Sequence, residues 1–210
     1  MEWILQLPVL FFSIIFHEFA HGYAAYRRGD DTAYLSGRLS FNPLPHIDPV
    51  GTVVLPALCL LAGFPALGWA KPVPVNPYRM NNPRGDMAFV ALSGPLSNLA
   101  LVLASVLMLK VVSYGFLGAA LTEPLAIIFG FAIQINLLLA VFNLFPVYPL
   151  DGSQVALGLL KGRALELYER HLPYGFYIIL GLVATGLLQK ILGPILNLAR
   201  SMVVLVYTLL

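Results

Sequence analysis

The chain has 210 residues, 59% of them hydrophobic and only 10% charged, with a net charge of +2; ordinary soluble domains run at roughly 45–50% apolar and about 25% charged. A domain of this size cannot hide so large an apolar excess from water, so the surplus must face lipid, and the mean hydropathy of +0.84 agrees. This excludes a disordered tail, a coiled coil and a cytosolic enzyme, and the small, scattered positive charge argues against a nucleic-acid partner.

A helix needs about 20 apolar residues to cross a bilayer. Such runs fall at residues 3–26, 86–112, 124–145, 174–192 and 194–210. The first has no basic residue before Trp3 and carries His17, Glu18 and His21, so it reads as a retained anchor and not a cleavable leader. Basic residues set the expected orientation: the loops holding Arg27, Arg28 and Arg38, then Lys71, Arg79 and Arg84, then Lys161, Arg163 and Arg170 are all expected on the cytosolic side. Basic loops on both flanks make residues 50–68 a re-entrant segment, with Pro56, Gly63 and Pro65 as break points. Residues 34–41 alternate weakly and are expected to form a β-hairpin or edge strand at the membrane boundary. The four prolines of residues 72–83 make an extended, turn-rich loop. Small residues at 128–131 and near Ala184 read as close helix contacts. Arg200 lies inside the last run and needs a snorkelling path or a partner. Cys59, the only cysteine, reads as a small buried hydrophobe, which leaves His and carboxylate as the donors for any metal.

The expected fold is therefore an all-α polytopic membrane protein. It is a helical bundle of about five to six spans with a re-entrant segment and a small β-hairpin at the cytosolic membrane boundary. Residues 1–210 are read as one transmembrane domain, with a catalytic core over 1–160 and additional spans over 174–210.

The chemistry starts at His17-Glu18-Phe19-Ala20-His21. Two histidines four residues apart lie on one helix face and can converge on one metal ion, and the glutamate beside the first can take a proton from attacking water. Uncompensated ionisable groups in lipid each cost about a few kcal/mol, so function is the default reading; a histidine pair in a polar bundle interior or a proton relay is the alternative. Catalytic zinc takes a third protein ligand and keeps a fourth position open. Asp151 is the best candidate, because Pro146 and Pro149 break the chain before it and Gly152 permits a tight turn after it. Its other reading is the N-cap of the following helix.

Three motifs in order, H-E-x-x-H at residues 17–21, Gly94-Pro95-Leu96-Ser97-Asn98, and N-x-x-P-x-x-P-x-D-G at residues 143–152, resemble the site-2 protease family of intramembrane zinc metalloproteases, in a short form without a PDZ domain. The resemblance spans residues 14–152. It implies that His17, His21 and Asp151 hold one Zn2+ ion per chain, that Glu18 is the general base, and that the site lies within the cell membrane near its cytosolic face. The implied partners are the lipid bilayer and transmembrane or membrane-anchored protein substrates, whose helices must unwind locally to expose a peptide bond. Asn98 and Asn143 are candidate hydrogen-bond donors to the oxyanion, with helix-to-helix hydrogen bonding as their other reading. His46 is a fourth ligand, a substrate contact or a plain loop histidine, and Asp48 shapes the same turn. Gly37, Arg38 and Leu39 are placed where an extended substrate could add as a strand. Two other classes stay open: a membrane metal or proton transporter using the same His/Asp site, and an inactive relative acting as a membrane chaperone. The glutamate next to the first histidine, the lack of a pseudo-repeat and the complete donor set favour the hydrolase.

Overall fold

The computed structural model describes residues 3–54, 58, 61 and 70–209, and no strand occurs among the described residues. The α-helices among them are, in chain order, α1 (Trp3–Arg27), α2 (Thr32–Leu35), α3 (Pro83–Ser113), α4 (Ala119–Asn143), α5 (Asp151–Leu159), α6 (Gly162–Glu169), α7 (Gly175–Ala184) and α8 (Leu187–Leu209). Four of them, α1, α3, α4 and α8, are long and apolar enough to cross a membrane.

Helix α3 is the centre of the bundle and packs against α1, α4 and α5. It starts from an Asn82 side chain that accepts from Gly85 N–H, with Pro83 in the first turn where a missing N–H costs nothing. In that turn Asp86 accepts from Arg28 Nη1 at 2.8 Å and from Asn82 N at 2.9 Å, and the Arg28 guanidinium lies 4.1 Å over the Phe89 ring. The end of α1 is thereby fixed to the start of α3, and the two helices run antiparallel. Farther along, Val102, Val106 and Leu137 make an apolar core shared by α3 and α4, against which Leu196, Ala199, Val203 and Tyr207 of α8 pack. Lys110 Nζ donates to Tyr207 O at 3.3 Å and sits over that ring, so α8 runs parallel to α3. The outward faces, such as Phe12, Leu103 and Leu198, are exposed apolar surface of the kind lipid covers.

Several expectations are corrected. Residues 34–41 form no strand: Thr32–Leu35 is a helical turn, and Gly37 at φ +66° closes it with Gly37 N–H on Tyr34 O and Arg38 N–H on Ala33 O. That paired capping pattern outweighs a weak alternation. Residues 174–192 are not one span. Helix α7 has ten residues, about 15 Å at the helical rise and too short to cross; it ends where Gly186 takes φ +69°. The last helix instead runs through Pro194, and α4 runs through Pro124, as lipid-exposed helices tolerate. Gly130 meets nothing within 4 Å where a Cβ would stand; it lines a cleft with Gln6 and Gln134 and makes no close helix contact. Of the expected re-entrant stretch, Pro49–Val54 is a single π-helical turn, shaped by Asp48 Oδ1 accepting from Val50 N and Gly51 N. The rest, Leu58 and Leu61 apart, lies outside the described residues, as does Cys59.

Between α1 and α3 the chain returns as an extended stretch over residues 70–76. It is held at four points. Lys71 N donates to His46 O at 2.9 Å, Arg38 Nη2 donates to Lys71 O at 2.6 Å and to Pro72 O at 3.2 Å, and Asn76 N donates to Asp30 Oδ2 at 2.6 Å. The fourth is Glu18, described below. Asp30 is fully buried and its other oxygen accepts from the Thr32 N–H and hydroxyl. Removing it leaves buried donors unpaired, so Asp30→Ala should destabilise the chain by about 1–3 kcal/mol. Asp31→Ala, which breaks only an exposed pair with Arg79, should cost about 0–1 kcal/mol. Thermal unfolding of the two variants in the same detergent checks the contrast.

Candidate metal centre

His17 and His21 are one turn apart on α1 and their rings meet edge to face, with centroids 4.6 Å apart. The helix that receives them is α3, and it does so with Val90, Gly94 and Asn98, spaced four residues apart on one face. Val90 O accepts from His21 Nδ1 at 2.8 Å, and Asn98 Oδ1 accepts from His17 Nδ1 at 2.5 Å. Between these two bonds lies Gly94, where a Cβ would stand 2.5 Å from His21 Nε2 and 2.6 Å from His17 Nε2. Any side chain there would occupy the space the rings need.

The direction of each bond follows from a chain of groups. Asn136 Nδ2 donates to Ala132 O at 2.9 Å, and a backbone carbonyl can only accept, which orients the Asn136 amide. The same nitrogen donates to Ser13 Oγ at 2.8 Å, and Ser13 donates on to Val9 O. Asn136 Oδ1 therefore accepts from Asn98 Nδ2 at 2.8 Å, Asn98 Oδ1 is left as an acceptor, and His17 Nδ1 must carry its proton. His21 Nδ1 carries its own for the same reason, facing a carbonyl. In the neutral rings both Nε2 atoms are then bare lone pairs.

Those lone pairs point at each other and at Asp151. The two Nε2 atoms are 3.0 Å apart, His17 Nε2 lies 3.1 Å from Asp151 Oδ2, and His21 Nε2 lies 3.3 Å from Asp151 Oδ1. Asp151 Oδ2 is buried and no hydrogen-bond donor among the described residues serves it. Three acceptors converging without a proton repel one another unless a cation lies among them. Two imidazoles, each with its Nδ1 already hydrogen-bonded, and a carboxylate form a donor set that suits zinc. Among the described residues, His17, His21 and Asp151 are the group that could hold a metal ion.

Asp151 reaches the helices from a turn. Leu150 in extended conformation is the N-cap of α5 and Asp151 is its first helical residue, so the N-cap reading of Asp151 does not hold. Gly152 follows because a Cβ there would stand 2.2 Å from Leu144 O at the end of α4. At the other end of α5, a Cβ on Gly158 would stand 2.3 Å from Ala88 Cβ of α3, and Arg84 of α3 donates to Leu157 O at 2.6 Å and to Leu160 O. Two close approaches thus press the short helix onto α3 and α4 and aim its first carboxylate at the histidines. Glu18 stands beside the group without belonging to it; its Oε2 accepts from Val73 N at 2.8 Å.

The remaining expectations divide. Asn98 spends its amide on His17 and Asn136 and is fully buried, so it orients a histidine and is not free to meet an oxyanion. Asn143 Nδ2 donates to Leu139 O of its own helix at 3.0 Å. His46 is buried, donates Nε2–H to Ser40 O at 3.0 Å and stands outside the converging group. His171 is an exposed residue bonded to Leu167 O. The sequence reading missed Asn136, Ser13 and Val73. For Asn136 a signal existed, an amide within an apolar run, but a backbone N–H such as that of Val73 leaves no trace in side-chain chemistry.

Residues 108–184 match the family profile described as Peptidase family M50. That stretch holds the Asp151 turn but not the two histidines. Similarity to curated proteins runs further. The chain is 38% identical over 201 residues to "Putative zinc metalloprotease YwhC" of Bacillus subtilis, covering 95% of this chain and 89% of that protein. The chain belongs to peptidase family M50, the site-2 protease family. It is also 29% identical over 192 residues to "Putative zinc metalloprotease Rip2" of Mycolicibacterium smegmatis, covering 89% of this chain and 69% of that one, and 31% identical over 140 residues to the Rip2 of Mycobacterium tuberculosis. No solved structure matches.

The Gly94 contact gives a direct test of the donor group. Gly94→Ala should separate the histidines and lower divalent-ion binding by the purified chain at least about tenfold, the scale of lost supporting contacts at metal sites. Ser97→Ala, whose hydroxyl only bonds Gly94 O of its own helix, should bind as the parent does. Isothermal titration with zinc checks both.

Proposed function

We propose that the chain is a multi-pass intramembrane zinc endopeptidase that hydrolyses peptide bonds in or near the membrane-spanning segments of other proteins. The observation that carries this reading is the convergence of three proton-free donor atoms, from His17, His21 and Asp151, next to Glu18. Family membership and the names of the relatives support it. His17, His21 and Asp151 hold the ion, one per chain. Zinc, when bound, supplies Lewis acidity that makes water a nucleophile at neutral pH and polarises a carbonyl.

The chain's own residues supply the remainder. Glu18 accepts the proton of the attacking water and returns it to the departing amine. Its carboxylate is not free to rotate, because Val73 N–H holds Oε2; no described residue occupies Oε1, which is left for the proton. Asn98, Asn136 and Ser13 keep the His17 ring in one tautomer and one orientation while charge moves. Val90 O does the same for His21. A substrate helix hides its peptide bonds in its own hydrogen bonds, so local unwinding precedes reaction. The charge distribution of the loops supports a site near the cytosolic face, because the Arg27 end of α1 and the Asp151 turn lie among the basic segments. The catalytic core is read as residues 1–160, with α7 and α8 as additions.

The test combines metal content and turnover. Detergent-purified parent chain should carry close to one zinc per chain; Asp151→Ala should lose most of it, and Glu18→Gln should keep it while losing about a hundredfold or more of its hydrolytic rate. Turnover is read on a co-reconstituted membrane protein whose single span contains helix-breaking residues. Metal-free parent protein after chelator-free purification would overturn the reading and return the transporter and inactive-relative classes. Cleavage by Glu18→Gln at the parental rate would overturn the role of the base.

A further inference from the structure

The last helix carries a polar stripe that the site does not use. At about 100° per residue, Leu196, Ala199, Val203 and Tyr207 of α8 fall on the arc that packs against α3 and α4. The adjoining arc holds Lys190, Asn197, Arg200, Ser201 and Thr208, all exposed. Ser201 and Thr208 satisfy their hydroxyls on carbonyls of their own helix. The side chains of Asn197 and Arg200 have no partner among the described residues. By the helical rise, Arg200 lies about 14 Å from the Leu209 end of α8 and about 20 Å from the Leu187 end, near the middle of a helix fit to span the membrane. Such a position puts a guanidinium far from either headgroup layer.

No carboxylate of the helices packed against α8 stands at its depth among the described residues. Helix α8 has no Asp or Glu, α3 has only Asp86 in its first turn, already paired with Arg28, and α4 has only Glu123, near its start. Glu18 of α1 accepts from Val73 N beside the His/Asp group. A second copy docking on this face would bring the same lack of a carboxylate at that depth and oppose arginine to arginine. We infer that the Asn197–Arg200 face of α8 is a docking surface for a membrane-spanning helix of another protein that carries a carboxyl side chain near its middle. Arg200 forks onto the two carboxylate oxygens, and Asn197, one turn earlier, donates its amide N–H to one of them. The flanking arc of Leu198, Met202 and Leu205 stays with lipid. This surface is independent of the peptidase reading.

The experiment uses the full chain, fluorescently labelled, in phosphatidylcholine vesicles. The probe is a leucine-rich membrane-spanning peptide with one central Glu, compared with peptides carrying Gln or Leu there, and association is read by energy transfer. The Glu peptide should associate about threefold to twentyfold more strongly than the Leu peptide, the range of polar helix pairs in membranes. Arg200→Leu should erase that preference, Arg200→Lys should keep part of it, and Arg200→Gln should bind the Glu and Gln peptides alike. An unchanged thermal unfolding transition in each variant shows that the fold persists. Equal association of the three peptides, or a Glu preference that survives Arg200→Leu, overturns the inference. So does loss of the preference on adding phosphatidylglycerol, which assigns the face to a lipid phosphate, and so does Arg200-dependent association between copies of the chain, which assigns it to self-assembly.

Discussion

A histidine presents a lone pair in a fixed direction only when its other ring nitrogen is committed to an acceptor, and this requirement organises the helices of the chain. His17 is committed through Asn98 to Asn136 and from there to Ser13 and Ala132 O, a line that crosses α1, α3 and α4. The polar groups of these apolar helices would each be a liability in lipid if left alone. Joined head to tail, they satisfy one another and end on a backbone carbonyl that can only accept. The bond directions therefore propagate from Ala132 O to the donor atom of His17, and the same contacts that hold three helices together set a tautomer.

Close approach depends on steric absence as much as on polar attraction. Gly94, Gly152 and Gly158 stand where a methyl group would overlap a histidine ring, the end of α4 or Ala88. Each contact concerns a different pair of elements: α1 with α3, α5 with α4, and α5 with α3. The carboxylate of Asp151 and the two imidazoles are thus brought together by separate packing events. Glu18 is placed by a further one, since Val73 reaches it from an extended segment held by Arg38, His46 and Asp30. Glu18 and the donor group thus draw support from different parts of the chain.

What the sequence disclosed follows the range of the interactions involved. H-E-x-x-H is legible because its geometry is local: four residues of helix put two rings on one face. Asp151 was recoverable from the breaks around it, and the family resemblance joined it to the histidines. The long apolar helices were legible from composition alone. Asn98 stood out as an amide in an apolar run, but its partners, His17 and Asn136, lie 81 and 38 residues away and leave no local pattern. Residues 34–41 and 174–192 were misread for a shared reason: in each, a glycine at positive φ ends a helix, and that local closure overrode a pattern of side-chain hydrophobicity.

The buried polar groups of α1, α3 and α4 and the polar stripe of α8 obey one rule with opposite outcomes. In the bundle core an amide or imidazole finds its complement on a neighbouring helix, so its desolvation is offset within the chain. On α8 the apolar arc facing α3 and α4 already makes a sufficient contact without Asn197 or Arg200. Those two side chains therefore contribute nothing to the packing of the helix that bears them, while their cost in lipid persists. A group that is expensive in isolation and unused within the fold has its complement outside it, which is why the stripe is read as a surface for another helix and not as part of the metal centre.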